Sequence, residues 1–321
     1  MKFQPYPIQF NPIFKDRIWG GTKLKTELNK RITSEITGES WEISTVENDV
    51  SIISNGFYKN ISLNKIIADF PNEVLGTTIH KKFGLDFPLL FKYLDAKQDL
   101  SIQVHPNDEL AKERHNSFGK TEMWYIMQAD ENSKIIAGFK QNTSKKQYLE
   151  SLENKTVLNL LNEIKVEQGD VFFLETGTVH AIGAGMVVAE IQQTSDITYR
   201  IYDFDRVDAN GNFRELHTEK ALDAINYNCV EIQKKYSKNI NQSNETVSCS
   251  YFTTNFIPLD GKIQVSKSGE TFTVYMCVDG DFELMYNKVQ YFYKKGNTIL
   301  IPAQMNDFEL SGKASLLEIY I

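Results

Sequence analysis

Residues able to bind a metal ion stand near the ends of three strand-like runs in this sequence. Gln103 and His105 are two positions apart in the first run, so their side chains share one face of a strand. Glu122 opens the next run after a predicted 16-residue loop, and His180 lies on a tight turn after a third. Two imidazoles and a carboxylate, with a weaker amide oxygen donor, suit a catalytic zinc ion that keeps a position open for water or substrate.

Charged residues near this set predict a polar cavity around it. Lys120 lies two residues before Glu122, so both side chains are expected to face one cavity. The remaining histidines lack the strand-end context, and we interpret His80, His115 and His217 as structural.

The runs that carry these residues indicate a β-sandwich or barrel. From Leu89 onward, short apolar or alternating segments recur at fairly regular spacing. Helical patterns interrupt them, and residues 233–250 are polar and predict a connection to a second strand-rich unit. The predicted helices lie within residues 62–82, with Ser62 as a cap and Pro71 as an interruption, and at residues 144–163 and 217–227.

The composition excludes several classes of protein. Of the 321 residues, 41% are hydrophobic and 24% are charged, so a packed core is expected and disorder is not. The net charge of -7 argues against a nucleic-acid binder, and no run approaches the ~18 apolar residues of a membrane span. Three cysteines without C-x-x-C spacing, and a start without a signal-peptide pattern, favour a soluble cytoplasmic protein.

An internal repeat divides the chain into two units. Segments 169–180 and 296–307 both run from a glycine through a mostly apolar stretch to a turn, ending at His180 and Asp307 respectively. In a second pair of similar strands, Phe272 takes the place of Glu122. We therefore predict a metal-binding unit over residues 1–235, comprising an N-terminal arm and a barrel with helical insertions, and a barrel over residues 236–321 that lacks the ligands.

Several of these motifs resemble those of type I mannose-6-phosphate isomerases in their short bacterial form. Segment 169–180 is similar to the second cupin motif, with Glu175 in place of its proline, and Thr121 stands where the zinc motif usually has proline. The resemblance spans residues 17 to about 217. It implies a mainly β fold of the cupin superfamily, with two cupin-type jelly-roll barrels and a few short helices. The strings that carry it are Arg17–Gly21, Leu100–Pro106, Lys120–Trp124, Gly177–Gly183 and Gln193–Arg200.

The resemblance also implies a role for each site residue. It implies a zinc-dependent aldose-ketose isomerase that interconverts mannose 6-phosphate and fructose 6-phosphate through an enediol-type intermediate, with about one zinc ion per chain. The family's catalytic arginine corresponds to Arg200. Its zinc ligands correspond to Gln103, His105, Glu122 and His180.

Positive groups are expected to stabilise the charge of that intermediate, and Arg200 and Lys120 are the candidates. In a desolvated site beside a cation, the pKa of Lys120 is expected to fall far enough for proton transfer. Asp196 and Glu190 are alternative proton carriers, although we favour them as partners of Arg200. The candidates for binding the phosphate are Arg17, Lys97, Arg206, Arg214 and Arg200 itself.

Two other functions are open on the sequence alone. Two histidines and a carboxylate also form the iron site of non-haem oxygenases. The identity of the bound metal, zinc or iron, would distinguish an isomerase from an oxygenase. A non-catalytic protein that binds a sugar phosphate is the third, and it would bind the ligand without turnover. The expected partner is a small sugar phosphate, with neither nucleic acid nor membrane. The oligomeric state is open, and a monomer is compatible with the sequence.

Overall fold

The computed structural model describes residues 2–207 and 211–321, and most of its regular structure is β-strand. No helix among these residues has both the length and the apolar character needed to span a membrane. The strands of the first part are β1 (Ile13–Gly21), β2 (Thr37–Ile43), β3 (Leu89–Ala96), β4 (Ile102–Val104), β5 (Glu122–Ala129), β6 (Lys134–Phe139), β7 (Leu161–Lys165), β8 (Val171–Leu174), β9 (His180–Ile182), β10 (Met186–Gln193), β11 (Tyr199–Tyr202) and β12 (Gln233–Lys234).

These strands form two antiparallel sheets, ordered β1-β2-β3-β10-β5-β8-β12 and β11-β4-β9-β6-β7. Apolar side chains from both sheets meet in one core, with Trp124 and Val188 from the first sheet and Ile135 and Ile182 from the second. Alternation along each strand places every second side chain in this space between the sheets. The prediction of a mainly β fold is confirmed.

The last part of the chain is a sheet of long strands that bends around a core of its own. The strands are ordered β13-β14-β18-β15-β16, with β17 on β15. Ile257, Tyr275 and Leu316 contribute to the enclosed core. The bounds are β13 (Asn244–Ser248), β14 (Thr253–Ser266), β15 (Thr273–Tyr286), β16 (Val289–Lys294), β17 (Thr298–Ile301) and β18 (Asp307–Tyr320).

The helices are short and lie between strands. Ser62 accepts a hydrogen bond from the backbone N–H of Lys65 at 3.2 Å and caps the first of three helices in the predicted range. Pro71 interrupts that range, as predicted, and begins the second helix. The helices are α1 (Lys23–Thr26), α2 (Leu63–Asp69), α3 (Pro71–Leu75), α4 (Thr77–Phe83), α5 (Asp108–His115), α6 (Lys145–Glu153) and α7 (Thr218–Ala224), with a 3-10 turn at Val157–Asn159.

Three sequence-based expectations need correction. The helix predicted over 144–163 ends at Glu153, because Lys155 adopts a left-handed φ of 56° that a helix cannot continue through. The stretch between Pro106 and Lys120, predicted as a loop, contains α5. The polar connection predicted over 233–250 contains β12 and β13, which are edge strands of their sheets. An edge strand of an antiparallel sheet can be partly covered by water, so its sequence does not need an apolar pattern.

The two parts repeat the same arrangement of strands. β8 pairs with β5, with Leu174 opposite Glu122, and β17 pairs with β15, with Ile301 opposite Thr273. A turn follows in each part, and the next strand begins at His180 in one and at Asp307 in the other. The last part therefore contains a strand, β18, in the place of β9, but it begins with Asp307 and not with a histidine.

One apolar core joins the two parts. Ile8 of the N-terminal arm exchanges backbone hydrogen bonds of 2.8 and 2.9 Å with Leu300 on β17. Phe3 and Ile8 from the arm, Val187 from β10 and Leu317 from β18 belong to the same buried cluster. The outer face of the first sheet is therefore covered by the arm, the helices and the C-terminal sheet.

Candidate metal centre and substrate cavity

Three buried side chains converge where β4, β5 and β9 meet. Their ligand atoms, from His105, Glu122 and His180, lie within 4.8 Å of one another. His105 directly follows β4, Glu122 is the first residue of β5, and His180 is the first residue of β9. Because Gln103 lies opposite His180 in the β4–β9 pairing, the two-residue spacing of Gln103 and His105 places both near this point.

Backbone carbonyl groups fix the orientation of both imidazoles. The Nδ1 of His105 lies 2.8 Å from the carbonyl oxygen of Ile197, and the Nδ1 of His180 lies 2.8 Å from that of Thr178. A carbonyl oxygen only accepts, so each Nδ1 carries the proton and each Nε2 presents a lone pair. Burial lowers the pKa of His180 to about 4 and that of His105 well below its ordinary value, so both rings are neutral near pH 7.

Glu122 supplies an anionic group between the two rings. Its Oε1 lies 3.3 Å from Nε2 of His180, and its Oε2 lies 3.7 Å from Nε2 of His105. Oε1 is buried and has no hydrogen-bond donor among the residues that the structure describes. Burial raises the pKa of Glu122 to about 7. A buried carboxylate oxygen without a donor, facing two imidazole lone pairs, fits a bound cation, and this donor set is one that zinc prefers.

Lys120 is the cationic neighbour of these three residues. Its Nζ forms an ion pair with Oε2 of Glu122 and lies 3.0 Å from Nε2 of His105. Burial would lower the pKa of Lys120, but the charges of Glu122 and Glu190 outweigh it and raise the pKa above its ordinary value. The lowered pKa expected from the sequence is therefore not found, because two carboxylates stabilise the ammonium.

A cavity of about 540 Å³ lies next to this cluster. Gln103 and Lys120 line it and also contact the cluster, Gln103 through an amide nitrogen 3.2 Å from Nε2 of His180. Arg200 lines it from β11, where it lies directly opposite Gln103. The Nε of Arg200 is buried without an acceptor among the described residues. The cavity thus connects the predicted ligands to the predicted catalytic cations.

Lys92 and Glu190 line the cavity from the first sheet. Lys92 and Trp124 lie on either side of Glu190 in the register of β3, β10 and β5. Glu190 accepts hydrogen bonds from Nζ of Lys92 at 3.1 Å and from Nε1 of Trp124 at 3.0 Å. Burial would raise the pKa of Glu190, but Lys120 and Lys92 hold it near 2. The expectation that Glu190 pairs with Arg200 is wrong, since the register gives it Lys92.

The structure separates the candidates for phosphate binding. Arg17 and Arg214 line the cavity, whereas Lys97 and Arg206 are not among its lining residues. Arg206 and Arg214 both donate to the carboxylate of Asp203, at 2.6 and 2.7 Å, and Arg206 also donates to the backbone oxygen of Asp99. Asp196, the other alternative proton carrier, lines the cavity.

His217 supports Arg200 and was not expected to take part. The backbone N–H of Arg200 donates to Nδ1 of His217 at 3.0 Å, and the N–H of His217 donates to the carbonyl oxygen of Arg200 at 2.7 Å. Neither bond involves the Arg200 side chain, so the types and spacing of residues in the sequence did not indicate that His217 contacts Arg200. Glu39 and Lys92, which also line the cavity, were likewise found only through the structure.

Two family models match the chain. The phosphomannose isomerase type I catalytic domain matches residues 8–141, and the mannose-6-phosphate isomerase cupin domain matches residues 242–321. The mannose-6-phosphate isomerase ManA of Bacillus subtilis is 38% identical over 315 residues, covering 97% of this chain and 98% of the relative. The chain belongs to the type I phosphomannose isomerase family. A mannose-6-phosphate isomerase of Streptococcus mutans is 34% identical over 94% of each chain.

Solved structures agree with this membership of the type I phosphomannose isomerase family. The crystal structure of mannose 6-phosphate isomerase from Bacillus subtilis superposes with a TM-score of 0.91 at 37% identity, covering 99% of this chain and 100% of that one. The apo form of the Salmonella typhimurium enzyme superposes with a TM-score of 0.78 at 18% identity over 98% of both chains, which shows the fold alone. The cupin-type fold predicted from the sequence is confirmed.

Proposed function

We propose that this protein is a zinc-dependent aldose-ketose isomerase that interconverts mannose 6-phosphate and fructose 6-phosphate. The observation that carries the proposal is the buried His105–Glu122–His180 cluster beside a cavity lined by Lys120 and Arg200. Family membership supplies the substrate, since the relatives from Bacillus subtilis and Streptococcus mutans carry the name mannose-6-phosphate isomerase.

The proposed zinc ligands are His105, Glu122 and His180, with Gln103 as a fourth. Both imidazoles present Nε2, and Glu122 presents a carboxylate oxygen without a donor. Gln103 places its amide nitrogen near His180, and turning the amide by 180° presents its oxygen instead. When bound, a zinc ion supplies Lewis-acid stabilisation of negative charge on substrate oxygens.

The chain's own side chains supply the remaining chemistry. In the isomerisation, a base removes the proton on C2 of mannose 6-phosphate and the proton is returned to C1, while a hydroxyl proton moves from O2 to O1 through an enediol-type intermediate. Asp196 and Glu190, which line the cavity, are the candidates for this base. Arg200 and Lys120 would stabilise the negative charge that develops on the two oxygens. Because the raised pKa of Lys120 keeps its ammonium protonated, Nζ can donate a proton to a substrate oxygen.

The phosphate requires cationic donors away from the reacting carbons. Arg17 and Arg214 lie in the cavity wall with Arg200, and phosphate would accept from the guanidinium N–H groups that are not bonded to Glu39 or Asp203. We propose these two residues as the phosphate-binding groups.

We also propose a division of the chain into a catalytic unit over residues 1–235 and a C-terminal unit over residues 236–321. Its support is that β12 pairs with β8 of the first part, whereas β13 pairs with β14 of the last. A cytoplasmic location fits the three cysteines, which are free thiols.

Metal content and turnover test the proposal together. The purified protein is expected to contain about one zinc per chain and to form fructose 6-phosphate from mannose 6-phosphate. His180→Ala should lose both zinc and activity. Arg200→Ala should keep zinc while kcat/KM falls about 10²- to 10³-fold, the usual cost of losing one donor to a developing oxyanion.

Each other outcome identifies a different function. A folded, zinc-loaded protein without turnover would overturn the substrate assignment. Bound iron with oxygen uptake would favour an oxygenase, and binding of mannose 6-phosphate without turnover would favour a sensor of sugar phosphates. His80→Ala is the matched control, because His80 contacts Asn72 on the surface, away from the cavity.

A further inference from the structure

Asp108 closes the segment that joins two ligand-bearing strands. The segment begins at His105, directly after β4, contains α5 and ends at Glu122, the first residue of β5. Asp108, the first residue of α5, accepts with Oδ1 from the backbone N–H of Gly119 at 2.8 Å and from Nε2 of Gln193 at 3.0 Å. The start and end of the segment are thereby held together at one carboxylate oxygen.

Gln193 transmits this closure to the backbone of the metal centre. Its side chain is buried, and its Oε1 accepts from the backbone N–H of Thr121 at 2.9 Å. The backbone N–H of Gln193 donates in turn to the carbonyl oxygen of Thr121 at 3.1 Å. Thr121 lies between Lys120 and Glu122, so these bonds fix the backbone from which both side chains project.

The second oxygen of Asp108 is bonded from the C-terminal unit. The hydroxyl of Tyr251, in the turn between β13 and β14, donates to Oδ2 of Asp108 at 2.7 Å. Burial and the neighbouring carboxylate raise the pKa of Tyr251 to about 12, so the hydroxyl keeps its proton. Burial opposes ionisation of Asp108, but Tyr251, Gly119 and Gln193 outweigh it and lower its pKa. The bond is therefore charge-assisted and stronger than a neutral one.

Close packing leaves this closure little freedom. A β-carbon at Gly119 would lie 2.8 Å from the backbone nitrogen of Asp108, so only glycine permits this approach. The hydrogen bonds from Tyr251 to Asp108, from Gln193 to Asp108 and from Thr121 to Gln193 form one continuous path into the metal centre.

We propose that the C-terminal unit, although it lacks metal ligands, positions the metal centre of the first unit through Tyr251. In this proposal Tyr251, Asp108 and Gln193 are positioning residues, which act by holding the backbone of Lys120 and Glu122. Groups that orient ligands from outside the metal's own shell commonly change metal affinity about 10- to 100-fold. The inference rests on the metal centre proposed above.

Tyr251→Phe removes one hydroxyl and tests the path. We expect its dissociation constant for zinc, measured in the whole protein by competition with a chromophoric chelator, to rise about tenfold or more. Tyr236→Phe is the matched control, because the Tyr236 hydroxyl also donates one 2.7 Å bond from the C-terminal unit, but to the carbonyl oxygen of Gly169. The control should stay within about twofold of the wild type, and both metal-free variants should melt at similar temperatures.

A double mutant separates positioning from general loosening. Asp108→Asn should weaken zinc binding by itself, and Tyr251→Phe should then add little, because residues on one path are not additive. Equal zinc affinities for Tyr251→Phe and Tyr236→Phe would overturn the proposal, as would a full additional loss in the double mutant. A wild-type protein without zinc affinity would overturn the metal centre itself, and this inference with it.

Discussion

At the scale of single residues, the metal centre depends on where protons are held. Two carbonyl oxygens fix the protons of His105 and His180 on Nδ1, so both Nε2 atoms present lone pairs on the side of Glu122. Lys120 brings a positive charge to the same place. The ammonium therefore competes with a cation for the carboxylate, while serving the proposed chemistry.

Replacing Lys120 should separate these two effects. Lys120→Met removes a positive charge 3.0 Å from Nε2 of His105, so zinc affinity should increase. Turnover should fall about 10²-fold or more, since a proton donor is lost. Chelator competition and the isomerase assay measure the two quantities, with Lys97→Met as a control outside the cavity lining. Weaker zinc binding in Lys120→Met would contradict the inference that the ammonium and the metal ion compete for the carboxylate of Glu122.

The bonds between His217 and Arg200 predict a positioning effect on catalysis. His217→Ala removes the acceptor for the backbone N–H of Arg200, and kcat/KM should fall about tenfold with zinc content unchanged. His217→Asn retains an acceptor oxygen and should recover much of the loss. Equal kcat/KM values for the alanine and asparagine variants would show that the hydrogen bond from the Arg200 backbone N–H does not contribute to catalysis.

At the scale of elements, register decides which side chains meet. The register of β3 and β10 places Lys92 beside Glu190, and the register of β11 and β4 in the second sheet places Arg200 opposite Gln103. In the C-terminal sheet the same principle gathers donors around Glu318 on β18. Its carboxylate accepts from Ser243, Asn255, Lys267 and Tyr275 at 2.6 to 2.9 Å.

Glu318 should make the C-terminal sheet sensitive to acid. Burial raises its pKa, but Lys267 and the hydrogen bonds of Asn255 and Ser243 outweigh this and lower the pKa below its ordinary value. A lowered folded-state pKa stabilises the fold above the unfolded pKa of about 4.3, and the stabilisation is lost as the pH falls through the folded value. Stability should therefore decline below about pH 4.

Urea unfolding of Glu318→Gln checks this expectation. At pH 7 the free energy of unfolding should fall by about 1–3 kcal/mol, because buried donors lose a charged acceptor. The difference from the wild type should shrink below about pH 4. Glu309→Gln on the same strand is the control, since Glu309 pairs with exposed Lys262 and such pairs contribute little to stability. Equal losses for the two variants would refute the assignment.

At the scale of the whole molecule, the shared core makes the two parts one stability unit. Ile8 of the arm is fully buried, and its backbone pairs with Leu300 of the C-terminal sheet. The core around it contains side chains from the first sheet, the helices and the last sheet. Loosening the arm should therefore affect both parts together.

Ile8→Ala should lower the free energy of unfolding by about 2–5 kcal/mol, the usual cost of this truncation in a packed core. All three tryptophans, Trp19, Trp41 and Trp124, lie in the first part, so their fluorescence reports that part while circular dichroism reports both. The two signals should change in one transition. Ile240→Ala, at a side chain 61% exposed, is the control. Separate transitions would show that the parts unfold independently.

The sequence by itself determined the strand-rich fold, the repeat and the set of candidate ligands. Each follows from short-range patterns: alternation within strands, a glycine before each repeated strand and the two-residue spacing of Gln103 and His105. The motif resemblance added Arg200 and the substrate class. Helix ends were predicted where a cap or proline marks them, as at Ser62 and Pro71.

Only the tertiary structure decided which residues face one another across strands and between the two parts. Lys92 reached Glu190, His217 reached Arg200, and Tyr251 reached Asp108 through pairings distant in the chain. The pKa of Lys120 also depended on Glu190, which lies 70 residues further along the chain. Register, burial and charge proximity arise when the sheets close, so the spacing of residues along the chain does not encode them locally.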